Sequence, residues 1–171
     1  MQIQDNFLPH HEFEQIQRLL MSSNFPWFVN PHTVYTDDNH NSFQFPHFSH
    51  LFYNAWHVQS NHFEHLQPFF KPLEVYSLQR LKANLLARTD KTFLNEFHVD
   101  EPTMASDKLE KFTTAIFYIN TNNGYTEFAD GTKVESVANR MVTFPSNIEH
   151  RGTSCTDEKA RIVINFNYLK T

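Results

Sequence analysis

The stretch Arg161-Ile162-Val163-Ile164-Asn165-Phe166-Asn167-Tyr168 predicts a β-strand with two very different faces. Because successive side chains of a strand point to opposite sides of its sheet, Ile162, Ile164 and Phe166 share one apolar face. The opposite face carries Arg161, Val163, Asn165 and Asn167. A buried cation without a partner is prohibitively costly, so an inward-pointing Arg161 requires an anion to neutralise it.

Two earlier segments show the same alternation. Phe112 to Asn120 predicts a strand with Ile116 and Tyr118 on one face. Val75 to Leu86 predicts another strand, with an apolar face of Leu81, Ala83 and Leu85 and a polar face of Arg80, Lys82 and Asn84. A polar face suits either an anion-binding cavity or the water-exposed side of an edge strand. Both alternatives stay open for Arg80 and Lys82, and Asn84 is the preferred inward residue.

Short strand segments separated by turn residues surround these three. Asn122-Asn123-Gly124 predicts a hairpin turn with Tyr125 to Phe128 as the return strand, and Asp130-Gly131 predicts the next turn. Strands are then predicted at Lys133 to Val137, Arg140 to Phe144 and near His150 to Ser154. With only 3 glycines in the chain, those between strands are expected at positive φ. Many short strands without crossover helices indicate a β-sandwich or small barrel.

The first 75 residues are more irregular. Helical spacing of Phe13, Ile16, Leu19 and Leu20 predicts a helix over His10 to Met21, with Pro9 in its first turn. A second helical segment begins at Asn61 to Leu66 and is expected to end near Pro68 or Pro72. Between them, Ser22 to His57 predicts loops and short strands at Trp27 to Asn30 and Ser42 to Phe45. We therefore expect a single domain over residues 1–171, with helical and loop support in 1–75 and a β core in 76–171.

Composition limits the classes of function. A net charge of −5 argues against broad binding to a phosphate backbone, so nucleic acid is not an expected partner. The single Cys155 cannot form an internal disulfide, which favours a reducing cytoplasm. No apolar run approaches the roughly 18 residues of a membrane span, and the N-terminus lacks the features of a secretion signal.

The candidate chemistry lies in His98-Val99-Asp100. On extended backbone, residues two apart project to the same face, so His98 and Asp100 can reach one point. His150 is a candidate third donor, and two histidines with one carboxylate leave the opposite face of a metal ion open. His-x-Asp alone is also consistent with an exposed peptide at a strand end. His62 and His65, three apart, form a weaker candidate pair because the region offers no third donor.

Arg161 follows His150 by eleven positions, and this order of residues resembles the Fe(II)/2-oxoglutarate-dependent dioxygenases. The similarity is to the small prolyl-4-hydroxylase-like proteins, including those of phages and their bacterial hosts. It extends from about Leu81 to Tyr168 and includes Thr114-Ala115-Ile116-Phe117-Tyr118-Ile119-Asn120, Asn122-Asn123-Gly124-Tyr125-Thr126-Glu127-Phe128 and Arg161-Ile162-Val163-Ile164-Asn165-Phe166. The resemblance implies a mainly β fold, a double-stranded β-helix of the jelly-roll type, with flanking N-terminal helices.

The resemblance also implies a site and a reaction. His98, Asp100 and His150 would hold Fe(II), and Arg161 with Tyr118 would bind the distal carboxylate of 2-oxoglutarate. Asn84 and Asn165 are further candidates for contact with this cosubstrate, and Arg88 is an alternative to Asn84. Val163 stands where some relatives have Ser or Thr, two positions after the Arg. The implied reaction uses O2 to hydroxylate a C–H bond and releases succinate and CO2.

Two other functions stay open. A cupin-like metal protein would have a similar barrel, although such proteins use His-x-His with a nearby Glu where this chain has His-x-Asp. A non-catalytic jelly-roll binding module is the second alternative. The substrate is also open: peptidyl proline, a free amino acid, another protein side chain and a small metabolite all fit. The oligomeric state and the role of residues 22–57 are not predicted.

Overall fold

Two antiparallel sheets form the framework of the computed structural model, which describes residues 1–30 and 47–171. Within these residues, the strands of the larger sheet are β1 (Gln2–Gln4), β2 (Phe28–Asn30), β3 (His47–Asn54), β4 (His57–Val58), β5 (Val75–Ala87), β6 (Phe112–Tyr118), β9 (Arg140–Pro145) and β11 (Ala160–Lys170). The smaller sheet consists of β7 (Tyr125–Phe128), β8 (Lys133–Glu135) and β10 (His150–Gly152). The larger sheet has the order β1-β9-β6-β11-β5-β3-β2, with β4 paired to β3, and the smaller sheet has the order β10-β7-β8.

In residues 1–30 and 47–171 the helices are few and short. They are α1 (His10–Leu20), α2 (Ser106–Leu109) and a 3₁₀ helix at Phe63–Phe69. A mainly β fold with two antiparallel sheets and an N-terminal helix is typical of a double-stranded β-helix, so the predicted fold class is confirmed. No helix in the described ranges is both long and apolar enough to cross a membrane.

One face of the larger sheet packs against α1 and the 3₁₀ helix to form the main core. The predicted apolar face of β11 lies there, together with Leu81 and Ala83 of β5. The Phe69 ring is at the centre of the cluster, 4.7 Å from the Phe117 ring and 4.9 Å from the Phe166 ring. Each fully buried side chain of this size contributes roughly 1.5–3 kcal/mol. The core therefore holds β5, β6 and β11 in place, and the opposite face of these strands is directed into the space between the sheets.

Several predicted boundaries shift in the structure. Met21 caps α1 rather than continuing it, and Pro9 occupies the N-cap position. The second helical segment is a 3₁₀ helix that contains Pro68 before it ends at Phe69. The region Met104 to Lys111, expected as a loop, contains α2. The strands β1, β3 and β4 were not predicted, and β1 and β3 bring the first 75 residues into the larger sheet. The predicted strand at Ser42 to Phe45 lies outside the described residues.

The prediction of a hairpin at Asn122-Asn123-Gly124 is wrong. β6 pairs with β9 and β11, whereas β7 pairs with β8 and β10 of the other sheet. The turn, in which the Gly124 N–H donates to the Asn122 side chain over 2.9 Å, therefore carries the chain from one sheet to the other. Local sequence marks a turn but does not say which sheet the next strand joins. Asp130-Gly131, in contrast, does form the β7–β8 hairpin, with Gly131 at a φ of 87°.

Candidate metal centre and anion-binding cavity

His98 and His150 face each other across a short backbone bridge at the edge of the smaller sheet, where β10 lies. The His98 N–H donates to the His150 carbonyl, the His150 N–H donates to the His98 carbonyl, and both distances are 3.0 Å. His98 therefore lies in an isolated bridge rather than at the end of a regular strand. This double hydrogen bond brings together two imidazoles from residues that are fifty-two positions apart, with ring centroids separated by 5.0 Å.

Three potential metal ligands converge beside this bridge. One ligand atom each from His98, Asp100 and His150 lies within 4.8 Å of the others. Nε2 of both histidines is 4.0 Å from Oδ1 of Asp100. Hydrogen bonds from Nδ1 to the carbonyls of Glu96 (3.0 Å) and Ile148 (3.2 Å) would leave each Nε2 with a free lone pair.

The His150 ring shows most clearly that the centre is built for a ligand. Its Nε2 atom is buried and has no hydrogen-bond partner in the described part of the chain. Burial lowers the pKa of His150, although Asp100 acts in the opposite direction, so the imidazole is neutral at physiological pH. A neutral imidazole nitrogen that is buried and unpartnered is suited to metal ligation.

Asp100 is held as a carboxylate by groups on the larger sheet. Asn167 donates its side-chain N–H to Oδ2 over 2.8 Å, and Arg80 lies 3.2 Å from Oδ1. Burial alone would raise the pKa of Asp100, but the charges of Arg80 and the two histidines, with the Asn167 hydrogen bond, hold it well below its usual range. Arg80 also pairs with Glu101 at 3.2 Å, which fixes its position.

Arg161 occupies a second polar centre in the same cavity. It is only 2% exposed, and its Nε donates to Ser136 (2.7 Å) and its Nη2 to Thr126 (2.9 Å). Both partners are neutral hydroxyls, and Arg161 forms no ion pair with any carboxylate in residues 1–30 and 47–171. Burial lowers its pKa, yet a guanidinium stays protonated at neutral pH. The cavity therefore contains a fixed positive charge that lacks a counter-ion among the described residues.

Tyr118 lies beside Arg161, as expected, but its hydroxyl does not face the cavity directly. It donates to Thr126 over 2.9 Å, and the Arg161 guanidinium lies 5.6 Å from the centre of the Tyr118 ring. Burial raises the pKa of Tyr118, so the phenol stays neutral. Thr126, rather than Tyr118, contributes to the cavity wall.

Two glycines give Arg161 the space it occupies. A Cβ atom on Gly124 would lie 2.6 Å from Cδ of Arg161 and 2.9 Å from the backbone oxygen of Ser154. On Gly152 it would lie 3.1 Å from Nη1. Neither glycine has positive φ, so the expectation for glycines between strands holds only at Gly131. Close approach of the Arg161 stem at Cδ, and not backbone conformation, is the reason for glycine at position 124.

The cavity has a volume of about 140 Å³ and includes all three potential metal ligands and Arg161 in its wall. Asn84 and Asn165 also line it, whereas Arg88 is not among the described lining residues. Since β5 lies between β11 and β3, the alternative of an exposed edge strand is excluded for Arg80 and Lys82. The side-chain oxygens of Asn84 and Asn95 are buried without a partner in the described chain, as is Nδ1 of His47. Such atoms mark places where a ligand or water would bind.

Four contributors to these centres were not found from the sequence: His47, Asn95, Thr126 and Ser136. Thr126 and Ser136 lie on or next to strands of the smaller sheet, opposite Arg161. Their alternation within short strands shows which residues share a face, but not which residue of the other sheet they meet. His62 and His65 have ring centroids 6.0 Å apart, and the described residues supply no third donor with them.

Comparison with known proteins supports the fold assignment. No protein-family model matches the chain, and no curated protein matches it. Among solved structures, a prolyl-4-hydroxylase from Pseudomonas putida is 15% identical with a TM-score of 0.60, covering 99% of this chain and 92% of that one. A prolyl hydroxylase from Trichoplax adhaerens, in complex with a peptide fragment of the hypoxia-inducible-factor oxygen degradation domain, is 12% identical with a TM-score of 0.66 and coverages of 99% and 83%. HygX from Streptomyces hygroscopicus, with nickel and 2-oxoglutarate bound, is 10% identical with a TM-score of 0.63 and coverages of 99% and 82%. At these identities the similarity establishes the fold alone.

Proposed function

We propose that this protein is an Fe(II)- and 2-oxoglutarate-dependent dioxygenase that hydroxylates a C–H bond. The observation that carries the proposal is the presence, in one cavity, of three convergent metal ligands and a buried arginine that has no counter-ion in residues 1–30 and 47–171. A metal ion would use the unpartnered Nε2 of His150, and a carboxylate would neutralise Arg161. A metal centre does not require a buried arginine nearby, and a buried arginine does not require a metal. A dicarboxylic acid that chelates the metal at one end and pairs with Arg161 at the other would explain why both are present.

The donor set fits Fe(II). Two neutral imidazoles and one carboxylate on one face of the ion are the ligands of non-haem iron oxygenases, and the remaining positions are open to cosubstrate and O2. Formal charges also balance: a divalent ion with Asp100 carries one positive charge, 2-oxoglutarate carries two negative charges, and Arg161 supplies the remaining positive charge. A buried assembly near neutrality avoids the desolvation cost of an isolated charge.

When bound, iron, 2-oxoglutarate and O2 supply the oxidation, in which one oxygen atom enters succinate and the other the hydroxylated product, with loss of CO2. The protein supplies position and charge. His98, Asp100 and His150 hold the ion on one face, and Asn167 and Arg80 orient the Asp100 carboxylate. The Arg161 fork, oriented by Thr126 and Ser136, would bind the distal carboxylate of the cosubstrate.

The amide side chains of the cavity would complete the cosubstrate site. Asn84 donates to Asn165 over 3.4 Å, and its own side-chain oxygen is unpartnered within the described residues. Rotation of the amide would exchange that oxygen for N–H donors, which suits it to an anionic ligand. We assign Asn84 and Asn165 as secondary contacts, with Tyr118 acting indirectly through Thr126.

We further propose that residues 1–171 act as one oxygenase domain in a reducing cytoplasm, in a bacterial or phage-infected host cell. The buried Cys155 and the entry of β1 and β3 into the larger sheet support this view. The prolyl hydroxylase from Trichoplax adhaerens binds a peptide fragment, so a peptide is one candidate class of substrate here.

The direct test is an Asp100→Ala variant compared with wild type and with Asp107→Ala, which removes an exposed carboxylate on α2. We expect wild type and Asp107→Ala to bind Fe(II) and to convert 2-oxoglutarate to succinate slowly without substrate, while Asp100→Ala does neither. Succinate formation by Asp100→Ala at the wild-type rate would refute the proposal. Metal binding by the wild type that is insensitive to 2-oxoglutarate would instead indicate a cupin-like protein.

A further inference from the structure

Lys82 is a third cation in the cavity wall, beside Arg80 and Arg161, and the proposed function does not use it. It lies on β5 between Arg80 and Asn84 and lines the cavity with both. Burial, together with the charge of Arg80, lowers the pKa of Lys82 to about 8, so the ammonium is still mainly protonated at pH 7. Unlike Arg80, it forms no ion pair with a carboxylate of the described residues. A desolvated ammonium in that position is costly unless an anion accompanies it.

Lys82 and Arg161 are at different ends of the cavity. In the β5–β11 register, Arg161 pairs with Leu86 and Asn165 pairs with Lys82. The two positions are four residues apart along the strand, or ~13 Å. Lys82 is instead on the side of Arg80 and Asp100, whose charges act on its pKa. An anion held by Arg161 therefore leaves Lys82 available for a second ligand near the metal centre.

His47 provides an independent sign of a ligand elsewhere along the same cavity, because the β3–β5 register pairs its neighbour Phe48 with Leu85, on the Arg161 side of Lys82. It is only 4% exposed, lines the cavity, and its Nδ1 has no partner among the described residues. Burial, with the charges of Lys82 and His98, lowers its pKa to about 4 and keeps the ring neutral. A neutral imidazole can donate one N–H to an anion.

Charge counting over the described residues indicates which anion fits. With a divalent ion, 2-oxoglutarate, Asp100 and Arg161, the formal charge is zero, and the Arg80–Glu101 pair adds nothing. The ammonium of Lys82 adds one positive charge that these groups do not neutralise. Resting on the proposed function, we infer that the hydroxylated substrate carries a free carboxylate, which Lys82 binds as an ion pair. A phosphate monoester, with up to two negative charges, would leave an excess of negative charge.

The test uses binding rather than turnover. The protein is loaded with Ni(II), which does not support the oxidation, and with saturating 2-oxoglutarate, so that the metal and Arg161 are both occupied. The probes are small carboxylates and their primary amides, such as cyclopentanecarboxylate and cyclopentanecarboxamide, with methyl phosphate as a third arm. Calorimetry and the ¹⁵N signal of the Lys82 ammonium report binding. Lys82→Met removes the charge, Lys82→Arg keeps it, and Lys108→Met is a control at an exposed position.

We expect each carboxylate to bind wild type at least about tenfold more tightly than its amide, as a charge-assisted hydrogen bond would give. Lys82→Met should lose this preference, while Lys82→Arg and Lys108→Met keep it. Equal binding of carboxylates and amides to wild type, or an unchanged preference in Lys82→Met, would overturn the inference, as would preference for methyl phosphate. If 2-oxoglutarate itself fails to bind the Ni(II)-loaded protein, the proposed function fails instead.

Discussion

Replacing Gly124 with alanine tests whether the position of Arg161 depends on the missing side chain. The added methyl group would lie 2.6 Å from Arg161 Cδ, 2.8 Å from Asn122 Oδ1 and 2.9 Å from the Ser154 carbonyl oxygen. All three distances are shorter than ordinary van der Waals contact. The Ser154 oxygen is backbone and cannot rotate away, and Asn122 already accepts the Gly124 N–H. The arginine stem is therefore the group most able to move.

Two effects should follow from this contact. Overpacking of a buried site typically costs ~1–3 kcal/mol, and in a chain of this size each kcal/mol lowers the melting temperature by roughly 2–4 °C. Displacement of Arg161 should also weaken its hydrogen bonds with Ser136 and Thr126. Losing one good charge-assisted hydrogen bond to 2-oxoglutarate corresponds to an affinity loss of about tenfold or more.

The measurements are thermal unfolding and calorimetric titration of the Ni(II)-loaded protein with 2-oxoglutarate. Gly131→Ala is the matched control, because Gly131 has a φ of 87° and open space around it. That substitution should destabilise by about 1 kcal/mol through backbone strain and leave 2-oxoglutarate affinity unchanged. Wild-type affinity in Gly124→Ala, or an equal loss in Gly131→Ala, would show that Gly124 does not make room for the guanidinium.

Three further predictions concern other groups of the cavity. Arg161→Gln should weaken 2-oxoglutarate binding roughly 30-fold or more while leaving metal affinity near wild type, and calorimetry with Ni(II) separates the two affinities. Asn167→Ala should lower metal affinity ~10–100-fold, measured by chelator competition, because Asp100 loses its orienting hydrogen bond; unchanged affinity would contradict this. The free energy of unfolding of the wild type should decrease as pH falls from about 6.5 to about 4. Over this range His47 becomes protonated in the unfolded chain, whereas the buried ring, with its pKa of about 4, stays neutral in the folded protein. Urea unfolding at pH 7 and pH 5 should show a smaller loss in His47→Gln, and an identical loss would exclude His47 as a contributor.

The alternation of side chains between the two faces of a strand allowed most of the correct predictions. It placed Ile162, Ile164 and Phe166 in the core and Arg161 and Asn165 in the cavity, because a strand in a sheet with two covered faces has only two directions for its side chains. The same rule brought Lys82 and Asn84 to the cavity, although it could not distinguish a cavity from solvent.

Contacts between the two sheets could not be predicted in this way. Arg161 meets Thr126 and Ser136 because the turn at Asn122–Gly124 crosses to the smaller sheet, and local residue preferences favoured a hairpin there. The meeting of His98 with His150 depends on a two-hydrogen-bond bridge outside the regular strands, which no periodic pattern marks. The proximity of this pair was predicted instead from the similarity of His98, Asp100, His150 and Arg161 to the order of these residues in a known family.

The central position of β11 has a consequence for engineering the protein. This strand contributes Ile164 and Phe166 to the core and Arg161, Asn165 and Asn167 to the polar side, with β5 and β6 as neighbours on its two edges. Inserting or deleting a single residue near Val163 would exchange the two sets, so that amides enter the phenylalanine cluster and isoleucines face the ligands. Libraries that vary this strand should therefore keep its length and change residues in pairs, whereas the Asp130-Gly131 hairpin tip is the safer position for added sequence.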